Sequence, residues 1–204
     1  KNFTAHGMNI YILYDPANEK KNKERADPDY TAMMVIGLAN DNNYYLLDII
    51  RDRFNPTERI EALIELHNKW NKKSGKPPKV GCEQYGMMTD AFYLRKAQEE
   101  YNYRFPVIEL GGQVKKEDRI RKLIPLFESA RIFLPRKILY DSVDGNTYDL
   151  VQQLVQDELS TFPVGRHDDM IDAFARIVDD KLEAGQSKKD LLDEGYDEND
   201  YMTW

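Results

Sequence analysis

The sequence predicts an α/β fold in which helices flank a mixed β-sheet that contains one antiparallel hairpin. Two apolar runs joined by an Asp/Asn turn, within residues 31–54, predict the hairpin. Strand-like and helix-like segments then alternate through residues 55–182, which is typical of a sheet with crossover helices. At 204 residues, the chain is expected to form one large domain rather than two small ones.

The first predicted strand ends in a carboxylate. Residues 8–14 (MNIYILY) are mostly β-branched or aromatic, and Asp15-Pro16 follows them. Proline cannot donate a hydrogen bond to a β-ladder, so we expect the strand to stop there. The hairpin comes next along the chain and consists of TAMMVIGLA (31–39), the turn DNN (41–43) and YYLLDIIRDRF (44–54).

Helices and strands alternate after the hairpin. Asn55, Pro56 and Glu58 mark a helix start, because proline fits the first helical turn and an acid there favours the helix dipole. Apolar side chains recur at helical spacing behind this start. The later segments are predicted as strands at 80–83, 105–110 and 131–134, and as helices at 89–101, 117–127, 148–159 and 168–182.

Charge divides the chain into a nearly neutral body and an acidic C-terminus. The net charge is −7, and residues 179–204 carry nine acids against three bases. We therefore interpret residues 1–182 as the folded domain and 183–204 as an acidic C-terminal tail. The single cysteine excludes a disulfide framework and a cysteine-rich zinc site, and no apolar stretch is long enough to cross a membrane.

One segment has the opposite charge. Residues 115–137 contain eight bases against three acids, which makes this segment a candidate surface for contact with phosphate groups. The alternative is a helix with a basic face turned to solvent. The bases that cluster at the start of the segment are Lys115, Lys116, Arg119, Arg121 and Lys122.

Acidic side chains are the reactive groups that the sequence offers. It contains no GxxxxGK[ST], GxSxG, HExxH or CxxC motif, so this chain alone is not expected to hydrolyse ATP. Asp15 and Glu83 end two predicted strands, and Asp168, Asp169 and Asp172 open the last helix. If the two strands are neighbours, these groups converge, and their mutual repulsion favours hard divalent cations. Two such ions could hydrolyse a phosphodiester, so the pattern predicts cleavage of nucleic acid.

Each of these acids also has a purely structural interpretation. An aspartate before proline is often a turn former, a buried glutamate such as Glu83 can belong to a salt bridge, and the helical acids can cap their helix. On a helical projection, Asp172 lies almost opposite to the centre of the apolar face, whereas Asp168 and Asp169 lie at its flanks. We therefore predict Asp169 as the third ligand, with Asp168 assisting and Asp172 supporting a capping box.

Five segments, in this order along the chain, carry a resemblance to a known family: YILYDPAN (11–18), DYTAMMVIG (29–37), VGCEQYG (80–86), KKEDRIRKLIPLFESARIFLP (115–135) and HDDMIDAFA (167–175). They resemble the nuclease domain of the large terminase subunit of tailed bacteriophages, which cuts concatemeric genomes during packaging. The resemblance implies an RNase H-like fold with a mixed five-stranded core, and a metal-dependent endodeoxyribonuclease.

The resemblance also implies roles for individual residues. Asp15 matches the ligand on the first strand, Glu83 the second acid, and the pair Asp168-Asp169 the third, and the metal in the family is magnesium or manganese. The family differs in its use of the HDDxxD stretch, so Asp172 stays a candidate. The basic segment corresponds to one that lies near the active-site groove and suits contact with the DNA backbone.

The expected partners follow from the same resemblance. They are double-stranded DNA, the terminase ATPase domain that precedes the nuclease in the family and has no counterpart in this chain, the small terminase subunit and the portal of the procapsid. The implied location is the cytoplasm of an infected bacterium, with transient association at the portal. Two other classes remain open: another RNase H-like nuclease, of resolvase or transposase type, and a non-enzymatic packaging or docking module.

Overall fold

The computed structural model describes residues 7–16, 30–110, 114–179, 181–184 and 202–203, without the side chains of 83–89 and 202–203. Within these ranges, one sheet contains seven strands and a separate hairpin contains two. The sheet strands are β1 (Asn9–Asp15), β2 (Thr31–Leu38), β3 (Tyr44–Asp52), β4 (Lys79–Glu83), β5 (Val107–Leu110), β6 (Ile132–Leu134) and β9 (Met202–Thr203), and the hairpin is β7 (Leu139–Asp141) with β8 (Thr147–Asp149).

Six α-helices connect or follow these strands within the described ranges. Two of them continue into other helical forms: a π-helical segment, Leu154–Leu159, and a 3-10 turn, Arg176–Val178. No helix in this part of the chain is long and apolar enough to cross a membrane. The helices are α1 (Pro56–Ser74), α2 (Gln84–Glu100), α3 (Lys116–Arg121), α4 (Ile124–Glu128), α5 (Leu150–Gln153) and α6 (Asp169–Ala175).

The seven-stranded sheet has the order β5-β4-β1-β2-β3-β6-β9. β2 and β3 form the antiparallel hairpin, and β1 pairs with β2 in the antiparallel sense. The pairs β1–β4, β4–β5 and β3–β6 are parallel. The predicted mixed sheet with its hairpin is therefore confirmed, and β1 lies inside the sheet between β4 and β2.

Helices cover both faces of the sheet and create two apolar cores. On one face, Ile12 and Tyr14 of β1 pack in a cluster with residues of α1 and α2. On the other face, Tyr11 and Leu13 pack with residues of α3, α5 and α6. This alternation along β1 is that of a strand buried on both sides.

A buried polar network fixes the end of β1 to α1 and α2. The Tyr14 hydroxyl donates to the Asp90 carboxylate, and the Arg59 guanidinium pairs with the same carboxylate. All three side chains are almost completely buried, so an unpaired charge here would be costly. The network holds the residue immediately before Asp15 in place. α1 itself begins as predicted, with Asn55 and Glu58 forming a capping box around Pro56.

Several predicted boundaries were wrong. The helix predicted at 117–127 consists of two short helices, because Pro125 fits the first turn of a new helix but has no amide to continue the hydrogen bonding of α3. The segment predicted as a helix from residue 148 starts as β8, and α5 begins only after Asp149, whose carboxylate caps it. The last helix ends at Ala175, short of residue 182, and α2 begins five residues earlier than predicted.

Parts of the segment that we interpret as an acidic tail contact the sheet. The Asn9 side-chain amide donates to the carbonyls of Glu183 and Ala184, and the Tyr11 hydroxyl accepts from the Glu183 amide. Met202 and Thr203 pair with β6 as the edge strand β9. The division at residue 182 stays a prediction, and most of the predicted tail lies outside the described residues.

Candidate metal centre

The candidate centre lies where β1 and β4 end side by side. Tyr14 is the register partner of Cys82, so Asp15 and Glu83 are the next residues of two neighbouring parallel strands. Neighbouring strands lie about 4.8 Å apart, which brings these two positions to the same point of the sheet edge. The side chain of Glu83 is outside the described part of the structure.

α6 brings three further carboxylates to this edge. The helix packs across β1 and β2, and its first turn carries Asp169 and Asp172, with Asp168 at the N-cap position. The side chains of Asp169 and Asp172 are mostly buried, whereas that of Asp168 is half exposed. The elements that meet here are far apart in sequence, so the fold alone creates this concentration of acids.

The environment of Asp15 shows that these acids share one electrostatic site. The pKa of Asp15 is raised from 3.8 to about 7, mainly by burial and also by the negative charges of Asp172 and Asp169. The positive charges of Lys116 and Arg176 act in the opposite direction. Asp15 makes no hydrogen bond or ion pair with the other residues that the structure describes.

Asp172 does not point away from the core, as its position on the helical projection suggested. It is only 6% exposed, because α6 is buried from Met170 to Ala175 between the sheet and α3. The Arg119 guanidinium of α3 pairs with its carboxylate, with Nε 3.2 Å from Oδ1. The expected capping box is absent as well, since Asp168 occupies the N-cap and makes no side-chain cap bond.

Lys116 bridges two of the acids. Its Nζ lies 2.8 Å from Asp168 Oδ1 and 3.3 Å from Asp172 Oδ2. Burial opposes the charge of Lys116, but the carboxylates of Asp172, Asp168 and Asp15 outweigh this effect and raise its pKa. Of the five bases proposed for phosphate contact, Lys116 and Arg119 therefore face the acidic cluster. The other three, Lys115, Arg121 and Lys122, are exposed.

Sequence reasoning missed two residues of the site, Arg51 and Glu158. Arg51 of β3 lies between two carboxylates, with Nη2 3.4 Å from Asp169 Oδ2 and Nε 3.7 Å from Glu158 Oε1. Glu158 accepts a hydrogen bond of 2.8 Å from the amide of Ile171 in α6. Burial raises its pKa to about 7, although that amide and Arg51 act in the opposite direction. No local sequence signal marks either residue, because their contacts arise only from packing.

The chemistry of the donor set fits a hard divalent cation. The centre offers carboxylate oxygens, and Asp15 is held near other negative charges without a paired cation among the described residues. No three His, Cys, Asp or Glu side chains that the structure describes are close enough to hold a metal ion, and Glu83 is not among them. Lys116, Arg119 and Arg51 instead hold the acids of α6.

The chain was compared with known proteins at three levels. No protein-family model matches the sequence, and no curated protein sequence matches it. Among solved structures, it is similar to the Mn-soaked nuclease domain of the human cytomegalovirus terminase, with a TM-score of 0.56 and 14% identity. That match covers 86% of this chain and 82% of the viral domain. The chain has the fold of a terminase nuclease domain. It is an RNase H-like fold, so the resemblance predicted from the sequence is confirmed for the architecture.

Two weaker similarities each cover 86% of the chain. One is to the large terminase of bacteriophage HK97, at 10% identity and a TM-score of 0.48. The chain spans 39% of the length of that terminase. The other is to the yeast mitochondrial Holliday junction resolvase, at 11% identity and a TM-score of 0.37, over 78% of its length.

The raised pKa of Asp15 predicts how stability depends on pH. Between about pH 4 and pH 7 the folded protein binds the Asp15 proton more tightly than the unfolded chain does, so the free energy of unfolding falls as pH rises. Asp15→Asn removes this contribution. In urea denaturation with chelator, the variant should match the unsubstituted protein near pH 4 and exceed its stability by about 1–3 kcal/mol at pH 8.

Asp41→Asn is the matched control, since Asp41 is an exposed turn residue at the opposite end of β2. It should change the free energy of unfolding by less than about 0.5 kcal/mol at either pH. Equal stability of the Asp15→Asn variant and the unsubstituted protein at pH 8 would contradict the electrostatic strain assigned to Asp15.

Proposed function

We propose that this chain is a metal-dependent endonuclease that cuts concatemeric viral double-stranded DNA during genome packaging, by two-metal-ion phosphodiester hydrolysis. The observation that carries this proposal is the concentration of acids at the ends of β1 and β4, around the strained carboxylate of Asp15. The similar fold of a Mn-soaked viral terminase nuclease supports it. In its more general form, the proposal is that the chain is an RNase H-like nuclease.

Asp15, Glu83 and Asp169 are the proposed catalytic metal ligands, with Asp168 assisting. Asp172 lies close enough to Asp15 to affect its pKa, but its carboxylate is already held by Arg119 in a buried ion pair. The contacts of Asp169 among the described residues are long, 3.4 Å to Arg51 and 3.9 Å to His167, so it can accept a new cation at lower cost. Bound magnesium or manganese would activate a water molecule and stabilise the leaving oxygen of the phosphodiester.

Arg51 and Glu158 are proposed as positioning residues. Glu158 holds the first turn of α6 through the Ile171 amide, and Arg51 spans Glu158 and Asp169 while stacking on the ring of Tyr30 at 3.7 Å. Together they hold the α6 carboxylates at the end of the central strands. Such support is typical of metal sites, where neighbouring hydrogen bonds orient the ligands.

The exposed bases in α3 and at its two ends are proposed to contact the DNA backbone. Lys115, Arg121 and Lys122 are exposed, and the neighbouring Lys116 and Arg119 connect this helix directly to the acids of α6. DNA held along α3 would therefore reach the metal ligands. Because the chain has a net charge of −7, this local surface would supply the positive charge that phosphate groups require.

The remaining parts of the proposal concern the larger assembly. A terminase ATPase domain, the small terminase subunit and the procapsid portal are the proposed protein partners, and the proposed setting is the cytoplasm of an infected bacterium. Residues 1–182 would form the nuclease domain and 183–204 the acidic tail, parts of which contact β1 and β6.

Cleavage of plasmid DNA tests the proposed activity. Supercoiled plasmid incubated with the chain and Mn²⁺ should be nicked or linearised, and excess chelator should stop the reaction. Asp15→Asn and Glu83→Gln should each lower the rate by at least about 100-fold, because each removes a proposed ligand. Glu99→Gln, an exposed glutamate on α2, is the matched control and should cleave normally. Full activity of Asp15→Asn would refute the site assignment.

Two variants of α6 distinguish the third ligand. Asp169→Asn should weaken Mn²⁺ binding, measured by calorimetry, by at least about tenfold and leave the fold intact. Asp172→Asn should instead lower the free energy of unfolding by about 3 kcal/mol, because it leaves Arg119 buried without its anionic partner. The opposite pattern, with metal binding lost only in Asp172→Asn, would transfer the ligand role to Asp172.

The salt dependence of DNA binding tests the proposed backbone contacts. Each phosphate contact contributes about 0.9 to the slope of log affinity against log salt concentration. Replacing Lys115, Arg121 and Lys122 together with glutamine should therefore flatten the slope by up to about three, measured on duplex DNA without metal. A slope equal to that of the unsubstituted chain would show that DNA binds elsewhere.

A further inference from the structure

Lys116 differs from the other cations of the centre in its position and its freedom to move. It is the first residue of α3, and its Nζ lies within ion-pair distance of both Asp168 and Asp172, 2.8 Å and 3.3 Å away. Its side chain is 38% exposed, whereas that of Arg119 on the same helix is only 9% exposed. Lys116 can therefore leave the acids without unpacking the core, and Arg119 cannot.

The charges around Lys116 explain why it stays near the acids in the metal-free protein. Arg119 pairs with Asp172, and Arg51 contacts Asp169. The charge of Lys116 reaches Asp168 and Asp172 directly and also acts on Asp15. The partly exposed ammonium of Lys116 thus adds positive charge where carboxylates of α6 and β1 approach one another, and the buried Arg176 also acts on Asp15. An ammonium on a flexible stem forms no rigid bidentate pair, so another cation can replace it.

We infer that Lys116 is a tethered counter-ion that competes with divalent metal for the acids at the ends of β1 and α6. In the metal-free protein it compensates the negative charge of the cluster. A metal ion that binds there has to overcome the repulsion from the nearby ammonium or displace it. This inference rests on the proposed function, because it assumes that the acidic cluster binds a divalent cation.

The competition makes a prediction that a purely structural role for Lys116 would not make. If Lys116 only held α6 in place, its removal would disorder the ligands and weaken metal binding. If Lys116 competes with the metal, removal of its charge strengthens metal binding. Lys116→Met keeps most of the apolar stem and removes the charge, and Lys116→Arg keeps the charge.

The test is calorimetric titration of the full chain with MnCl₂ at pH 8, without DNA. Lys116→Met should bind Mn²⁺ at least about fivefold more tightly than the unsubstituted chain, and Lys116→Arg should bind within about twofold of it. Lys96→Met, an exposed lysine on α2, controls for the change in net charge and should leave the affinity unchanged. Circular dichroism reports whether each variant is folded, and Lys116→Gln replaces Lys116→Met if the latter is not.

The outcomes separate this inference from the proposed function. If the unsubstituted chain binds Mn²⁺ and the folded neutral variant of Lys116 binds it equally or more weakly, the counter-ion role is wrong and the proposed metal site stands. If neither the unsubstituted chain nor any variant binds Mn²⁺, both the metal site and the competition are wrong. Tighter binding in Lys96→Met as well would assign the effect to net charge and overturn the inference.

Discussion

Repulsion among carboxylates at the end of β1 is the constraint on which the site depends. Burial raises the pKa of Asp15, and Asp172 and Asp169 lie close enough to raise it as well. A fold that only had to be stable would not bring these charges together. The surrounding basic side chains offset part of this repulsion. Arg119 and Lys116 form ion pairs with Asp172, and Arg51 contacts Asp169.

The rest of the architecture holds this edge in place. β1 is buried on both faces, and the Tyr14–Asp90–Arg59 network fixes its end from the side of α1 and α2. On the other face, α6 is buried along its length, and Glu158 holds its first turn through the Ile171 amide. The acids therefore lie on rigid elements, which is what a metal site requires of its ligands.

The sequence predicted what local signals determine. The hairpin of β2 and β3 has a turn that is visible in the sequence. Asn55 and Glu58, which form the capping box of α1, mark the start of that helix. The order of the motifs suggested an RNase H-like fold, and such a fold places the strands that end in Asp15 and Glu83 next to each other. The predicted orientation of Asp172 was wrong, because a helical projection takes no account of neighbouring helices. In the structure, α3 packs against the other side of α6 and supplies Arg119 as the partner of Asp172. Arg51 and Glu158 depend on similar long-range packing, so no local pattern could reveal them.

Anomalous scattering from crystals of the chain soaked in Mn²⁺ tests the central claim most directly, because it locates metal without relying on activity. The account predicts two anomalous peaks at the ends of β1 and β4, with carboxylate oxygens of Asp15, Glu83 and Asp169 within about 2.5 Å of them. Peaks elsewhere on the molecule, with none at Asp15, would contradict the account.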